Sequence, residues 1–276
     1  MKSLFTCPIC AAPLDRGEKG YACPNGHGYD IAKEGYVHLL PANRMHSKAP
    51  GDDKEMAAAR NRFLSGDWYA PLRDRLCQLA LTQLDGVEAP AVLDSGCGEG
   101  YYTAGVYRSL TAAGKRVRMA GVDLSKPSLR HAARRERGAE FAVASVYHLP
   151  VADQSAHLLL NCFSPLALEE FHRVLKPGGV YLYVVPAARH LWELKQVLYD
   201  KPYLNHEAES PYDGFAYQDI VPVEARMSID SSQALQDLFR MTPYYWKTPK
   251  EGARRLAELE QMAVTASFRI HIFRRV

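Results

Sequence analysis

The sequence predicts an α/β protein: a doubly wound, seven-stranded and mostly parallel sheet, preceded by a small metal-stapled module. Three observations predict it. From residue 90 onward, short apolar runs alternate with helical stretches, the pattern of repeated β-α-β units. The first of these runs, "AVLDSGC", opens a glycine loop with Gly96, Gly98 and Gly100 in G-x-G-x-G spacing. Near the start, Cys7, Cys10, Cys23 and His27 read C-x2-C-x12-C-x3-H, a spacing that suits a tetrahedral zinc ion.

Composition narrows the class. Apolar residues make up 47% and charged residues 24% of the 276, the balance of a soluble globular protein. No apolar run approaches the roughly 20 residues of a membrane helix. The opening "MKSLFTCPIC" has no apolar core of a secretory signal. A cytoplasmic location with no membrane partner is therefore expected. A formal net charge of +3 permits a nucleic-acid partner without requiring one. Beyond the first module, Cys77, Cys97 and Cys162 are scattered singly, which fits a reducing compartment rather than a disulfide framework.

Residues 1–41 form the metal module. Cys7-Pro8-Ile9-Cys10 makes a tight turn in which both sulfurs can face one ion. Pro24, Asn25 and Gly26 turn the chain between Cys23 and His27. A segment of this size buries too little surface to fold alone, so the metal supplies the folding energy. Two buried cysteines with an unrelated histidine, or a redox pair at Cys7 and Cys10, are the alternatives. A redox pair usually opens a helix, whereas here "AAPL" leads into the polar turn "DRGEKG". Residues 42–89 form a polar linker, "ANRMHSKAPGDDK", and two helices broken at Ser65-Gly66-Asp67.

Residues 90–276 carry the sheet. Strands are expected at "AVLDSGC", "VRMAGVDLS", "AEFAVASVYHLP", "HLLLNCFSP", "VYLYVVP", "VPVEARMSI" and "ASFRIHIFRRV". The last is expected to be antiparallel. In such a sheet, ligands bind beyond the carboxyl ends of the strands. The glycine loop departs from the G-x-G-x-x-G of a dinucleotide site, and no Lys-Ser/Thr follows to make a P-loop. Asp94 precedes the loop, placed to accept from a ligand ammonium directly or through water. Asp123 ends the second strand, where a carboxylate takes both hydroxyls of a ribose. Asp123 could instead cap the next helix, although Ser125 is better placed for that. A loop without room for pyrophosphate, an acid for an amino-acid end and an acid for a ribose describe S-adenosylmethionine.

The stretches "VLDSGCGEGYYT", "GVDLS" and "LKPGG" resemble a class I S-adenosylmethionine-dependent methyltransferase, with its Rossmann-like seven-stranded sheet. The knuckle "CPIC…CPNGH", then "YDIAKEGYVHLLP", "GDWYAPL", "PAARHLWELK" and "MTPYYW", resemble the bacterial 23S ribosomal RNA guanine-N1 methyltransferases, the RlmA (RrmA) group, over essentially the whole chain. That resemblance implies one zinc held by Cys7, Cys10, Cys23 and His27 in a module that helps recognise a 23S ribosomal RNA hairpin. It implies a methyl-donor site with Gly98, Glu99, Tyr69 and His190, and a homodimer that shares the RNA. Tyr69 as a core aromatic beside Trp68, and His190 as a packing residue, are the bland alternatives.

The chain departs from the pattern in places. Ser95 stands where the group usually has a β-branched residue. "VASVYHLP" offers Ala144 and Ser145 where many methyltransferases place an acid near the adenine. "NCFSP" only partly matches the Asn/Asp-Pro-Pro-aromatic motif of related enzymes. There Asn161 is a candidate to read the guanine edge and Phe163 to stack on it, with a packed strand end as the alternative. Arg44, Lys48, the "RHAARRERG" helix and "FRRV" are candidates for phosphate contact. The expected function is methyl transfer to N1 of a guanine in a 23S ribosomal RNA hairpin loop. A small-molecule methyltransferase, or an RNA-binding scaffold with a vestigial pocket, are the competing expectations.

Overall fold

The protein is described by a computed structural model at residues 2–41, 51–207 and 211–276. Arg44, Lys48 and most of the expected linker lie outside the described residues. Strands β1 (Lys2–Thr6), β2 (Pro13–Arg16), β3 (Gly20–Ala22) and β4 (Gly28–Asp30) form an antiparallel sheet in sequence order. The turn after β1 carries Cys7 and Cys10, and the turn between β3 and β4 carries Cys23 and His27. Each turn closes through a left-handed residue: Ala11 at φ 58° and Gly26 at φ 84°. Gly26 meets no steric penalty there.

The next strand, β5 (Tyr36–His38), leaves that sheet for another. The main sheet is built from it and from β6 (Ala91–Ser95), β7 (Arg118–Asp123), β8 (Glu140–Val143), β9 (Ala156–Cys162), β10 (Leu175–Pro186), β11 (Phe215–Ile229) and β12 (Met262–Arg275). The order is β11-β12-β10-β9-β6-β7-β8-β5. Seven strands follow the expected layout, with β12 antiparallel between β10 and β11. The eighth corrects the expectation of seven. β5 pairs in parallel with β8, Tyr36 opposite Phe141 and His38 opposite Val143. Tyr36 and Leu40 bury in the core on one side of the sheet and Val37 and Leu39 in the core on the other, so both faces of this edge segment are covered. The expected strand at 139–150 is shorter than its apolar run, because the chain turns from Ala144 before reaching Pro150.

Helices α1 (Lys54–Ser65) and α2 (Ala70–Gln83) are separated at Gly66, as the break in the sequence indicated. The Asp53 carboxylate accepts from Met56 N at 2.8 Å and caps α1. The crossover helices are α3 (Tyr101–Ala112), α4 (Lys126–Arg135), α5 (Leu168–Val174) and α6 (Trp192–Leu198), followed by α7 (Ser232–Arg240) and α8 (Lys250–Ala257). Ser125 caps α4 and Ser231 caps α7 through their hydroxyls. Asp123 is thus released from capping. α1 packs against α7 and α4, and α2 against α3 and β11, so both helices lie within the larger unit.

The metal module shares a core with the sheet. Leu4, Phe5, Leu14, Tyr21, Val37 and Leu39 bury against Ala91, Ala120, Val122, Ala142 and Leu159 in one apolar cluster. Polar ties flank it: Thr6 N donates to Pro150 O at 2.8 Å, and Ser3 Oγ donates to Glu140 Oε2 at 2.6 Å.

Candidate active site and metal centre

The four predicted ligands converge. Their ligand atoms lie within 4.8 Å of one another. Cys10 Sγ stands 3.7 Å from Cys23 Sγ, and His27 Nδ1 stands 3.4 Å from both Cys7 Sγ and Cys23 Sγ. Two sulfurs each about 2.3 Å from a tetrahedral zinc are about 3.8 Å apart, so the cage has the size of one zinc ion. The Ala12 backbone N–H and then the Asn25 amide hold the Cys10 thiol down at about 6, toward the thiolate that metal binding needs. The Tyr29 hydroxyl lies 3.0 Å from Cys7 Sγ and steadies that ligand from outside the cage.

The second site forms at the carboxyl ends of β6 and β7. Gly96, Gly98 and Gly100 all have positive φ, at 82°, 55° and 76°. A side chain on Gly100 would collide with Ala132 of α4, whereas one on Gly98 would enter open space. Gly98 therefore leaves room for a ligand and Gly100 permits close helix packing. Asp123 ties the loop to β7: its carboxylate accepts from Gly98 N at 2.9 Å and from Ser125 N at 2.8 Å. Asp94 is 2% exposed and accepts from the Thr103 hydroxyl at 2.6 Å, while its Oδ1 has no partner. Glu99 is also 2% exposed, with Oε2 unpaired. Buried acids this close together are costly unless something positive arrives. Burial first, then Asp123 and Glu99, push Asp94 up to about 7 against the opposing pull of Thr103. Burial likewise raises Glu99 and Asp123, and Arg60 opposes both rises. Arg60 is itself paired with Asp52, whose carbonyl accepts from Ser125 Oγ at 2.8 Å.

Tyr69 and His190 meet on Phe268. The ring centroids are 4.9 Å from Phe268 to Tyr69 and 4.7 Å to His190. His190 is 8% exposed, and burial lowers it to about 3, so its ring is neutral. Its Nδ1 lies 3.0 Å from Ser267 O. Phe163 extends the same aromatic wall, 5.6 Å from Phe268, and is 46% exposed at φ 59°. Its partner in the sequence reading behaves differently. Asn161 is fully buried, donates to Pro165 O at 2.9 Å and accepts from Ser164 N at 3.3 Å. Its amide braces the 161–165 turn, and only Phe163 of that pair opens outward.

Ser95 is fully buried with its hydroxyl unpaired, so the departure from a β-branched residue leaves an unsatisfied group. Ala144 donates its N–H to Asp123 O at 3.1 Å, and no acid stands at that strand end. Several phosphate candidates are occupied internally. Arg135 donates to Glu99 O, Asn61 and Ser65, and Arg134 to Glu34. Arg274 donates to Gly178 O and Gln83, and Arg275 to His172 and Leu175 O. The sequence reading missed Arg60, Tyr102, Thr103 and Phe268. Tyr102 and Thr103 left a signal, since both follow the glycine loop in the first turn of α3.

Comparison with known proteins agrees with both halves. A family model described as "RlmA, N-terminal" matches residues 5–48, and a "Methyltransferase domain" model matches residues 92–179. The chain is 37% identical over 262 residues to a 23S rRNA (guanine(748)-N(1))-methyltransferase of Streptomyces fradiae, covering 92% of this chain and 90% of the other. It is 32% identical over 278 residues to the Bacillus subtilis protein YxjB, named as a candidate 23S rRNA (guanine-N(1)-)-methyltransferase, covering 98% and 96%. Among solved structures, the YcgJ protein of Bacillus subtilis aligns at TM-score 0.50 and 15% identity, over 73% of this chain and 98% of that one, a likeness of fold.

Proposed function

The chain belongs to the RlmA family of 23S ribosomal RNA (guanine-N1)-methyltransferases, and on that premise we propose that it methylates N1 of one guanine in a hairpin loop of 23S ribosomal RNA, with S-adenosylmethionine as donor. The observation that carries this reading is the joining, in one chain, of the Cys3His cage to a pocket with open space over Gly98 and unpaired Asp94 and Glu99 oxygens.

The residues fit the donor. Asp123, already holding Gly98 and Ser125 through backbone N–H groups, takes the ribose hydroxyls on its remaining lone pairs. Asp94 receives the ammonium of the methionine end, and Gly98 and Glu99 line its bed. Tyr69 and His190 wall the methyl end with uncharged rings, which favours alignment over proton transfer. When bound, the donor supplies a methyl carbon already activated by its sulfonium. Phe163 stacks on the guanine, which must leave its helical stack to reach the pocket. Asn161 fixes the turn that presents Phe163. The zinc holds the knuckle shape of a module that orients the RNA. A cytoplasmic homodimer completes this reading.

Primer extension tests it. N1-methylguanine blocks the pairing edge and stops reverse transcriptase. Purified protein with S-adenosylmethionine and unmodified 23S ribosomal RNA should produce one new stop. A protein that binds the donor yet leaves the RNA unstopped would instead favour a small-molecule acceptor.

A further inference from the structure

Tyr102 lies two residues beyond Gly100, in the first turn of α3. Its side chain is 7% exposed, yet its hydroxyl has no hydrogen-bond partner. Buried phenols usually find one. Its ring stands 5.2 Å from that of Tyr101 and 6.4 Å from that of Phe163, centroid to centroid. The titratable groups around its hydroxyl are the Cys162 thiol, the Tyr69 phenol, the Glu99 carboxylate and the Tyr101 phenol. Glu99 belongs to the donor loop, whereas Cys162 and Phe163 belong to the end of β9. The Tyr102 ring, on the helix that follows the donor loop, thus packs beside the Phe163 ring at the end of β9, which joins the donor side to the wall proposed for the base.

We propose that the Tyr102 hydroxyl donates its hydrogen to O6 of the target guanine and so stabilises the charge that N1 methylation develops. The proposal rests on the guanine-N1 reading of the site. In that reaction the N1–CH3 bond forms as the S–CH3 bond breaks, and the sulfur keeps the electron pair. The N1–H bond also breaks, and its proton passes to water at the mouth beside half-exposed Phe163. As N1 loses its proton, the ring shares the negative charge with O6. A donor already fixed at O6 is worth most in a dry site, because no solvent need reorganise. Burial holds the phenol protonated, which makes it a donor rather than a base.

The test uses the full chain with Tyr102→Phe, which keeps the ring and removes the hydroxyl. RNA substrates carry guanosine or 6-thioguanosine at the position where primer extension finds the stop. Sulfur accepts hydrogen bonds poorly, so the thio substrate forfeits what the hydroxyl offers. On guanosine RNA, kcat should fall roughly 100- to 1000-fold, the scale for losing one oxyanion donor. Donor affinity by calorimetry should stay within about twofold. On thio RNA, wild type and variant should differ by less than about tenfold. Tyr102→Leu, which also removes the ring, should lose little more on guanosine RNA than Tyr102→Phe. Retention of kcat within about threefold by Tyr102→Phe overturns the proposal. Equal losses on both RNAs, or a loss that follows weaker donor binding, also overturn it. A wild-type chain that binds the donor but leaves no primer-extension stop on 23S ribosomal RNA sinks the guanine-N1 reading itself, before any variant is compared, which separates the two failures.

Discussion

At the residue scale, the buried Asp94 carboxylate, with Oδ1 unpaired beside the glycine loop, decides how the site answers to pH. Asp94 and Asp123 stood out because a carboxylate at a strand end beside a glycine loop has few structural duties. Phe268 looked like any core aromatic, since its contacts with Tyr69 and His190 join segments far apart in the chain. An amide near a strand end can read a base or tie its own turn, and the Asn161 amide is bonded within its own turn. Asp94 gives a pH prediction. Its folded pKa, about 7, lies above the value of about 4 in an unfolded chain. Between those values the empty folded chain holds a proton that the unfolded chain has released, so Asp94 makes stability fall as pH rises through that window and level off above it. A donor ammonium favours the carboxylate and expels the proton. S-adenosylmethionine affinity should therefore rise up to about tenfold from pH 6 to 8, and Asp94→Asn should flatten the rise. Calorimetry showing equal wild-type affinity across that range would count against the ammonium contact. Ser95 gives a stability prediction. Its unpaired buried hydroxyl costs about 1–3 kcal/mol. Ser95→Val should raise the melting temperature by about 2–4 °C with donor affinity unchanged; a lower melting temperature would mean the site has no space for the methyl.

At the element scale, the β-α-β alternation carried most of the fold, because buried parallel strands read as apolar runs and their helices start from visible caps. Strand β5 escaped because three residues give no readable period, and its partner β8 lies far along the chain. This matters for separating RNA recognition from donor binding. A chain beginning near residue 55 removes the module, but it also strips β5 from β8 and uncovers Ala120, Val122 and Ala142. Loss of methylation by such a fragment would reflect damage to the sheet. A change at the knuckle tip avoids this. Ile9 is 67% exposed and borders a groove of about 680 Å³ between the knuckle and the 145–153 loop. Ile9→Asp should fold, keep its zinc and bind S-adenosylmethionine normally. Its carboxylate should repel RNA phosphates and lower kcat/KM for ribosomal RNA at least about tenfold. Unchanged methylation kinetics would remove this groove from RNA positioning.

At the scale of the whole molecule, the shared apolar cluster makes zinc more than a local staple. Cys7 and Cys23 are part of the same buried cluster as Leu93 and Leu159 of the central strands. Zinc removal should therefore lower the stability of the entire chain. Metal analysis should find one zinc per chain, lost on Cys10→Ser. Chelation should move a single calorimetric transition to lower temperature; a separate small transition with the main one unmoved would show that the module unfolds independently. The pairing of β5 with β8 also sets a timetable for biosynthesis. About 105 residues separate Tyr36 from Phe141, and a ribosome adds about 5–20 residues per second. For roughly 5–20 seconds the nascent chain carries a knuckle that can already capture zinc, beside a strand whose partner has not been made. During that interval the ion is what orders the N-terminal segment, and a cell short of zinc would leave Leu4, Phe5, Leu14 and Tyr21 without a folded module while β5 still waits for its partner.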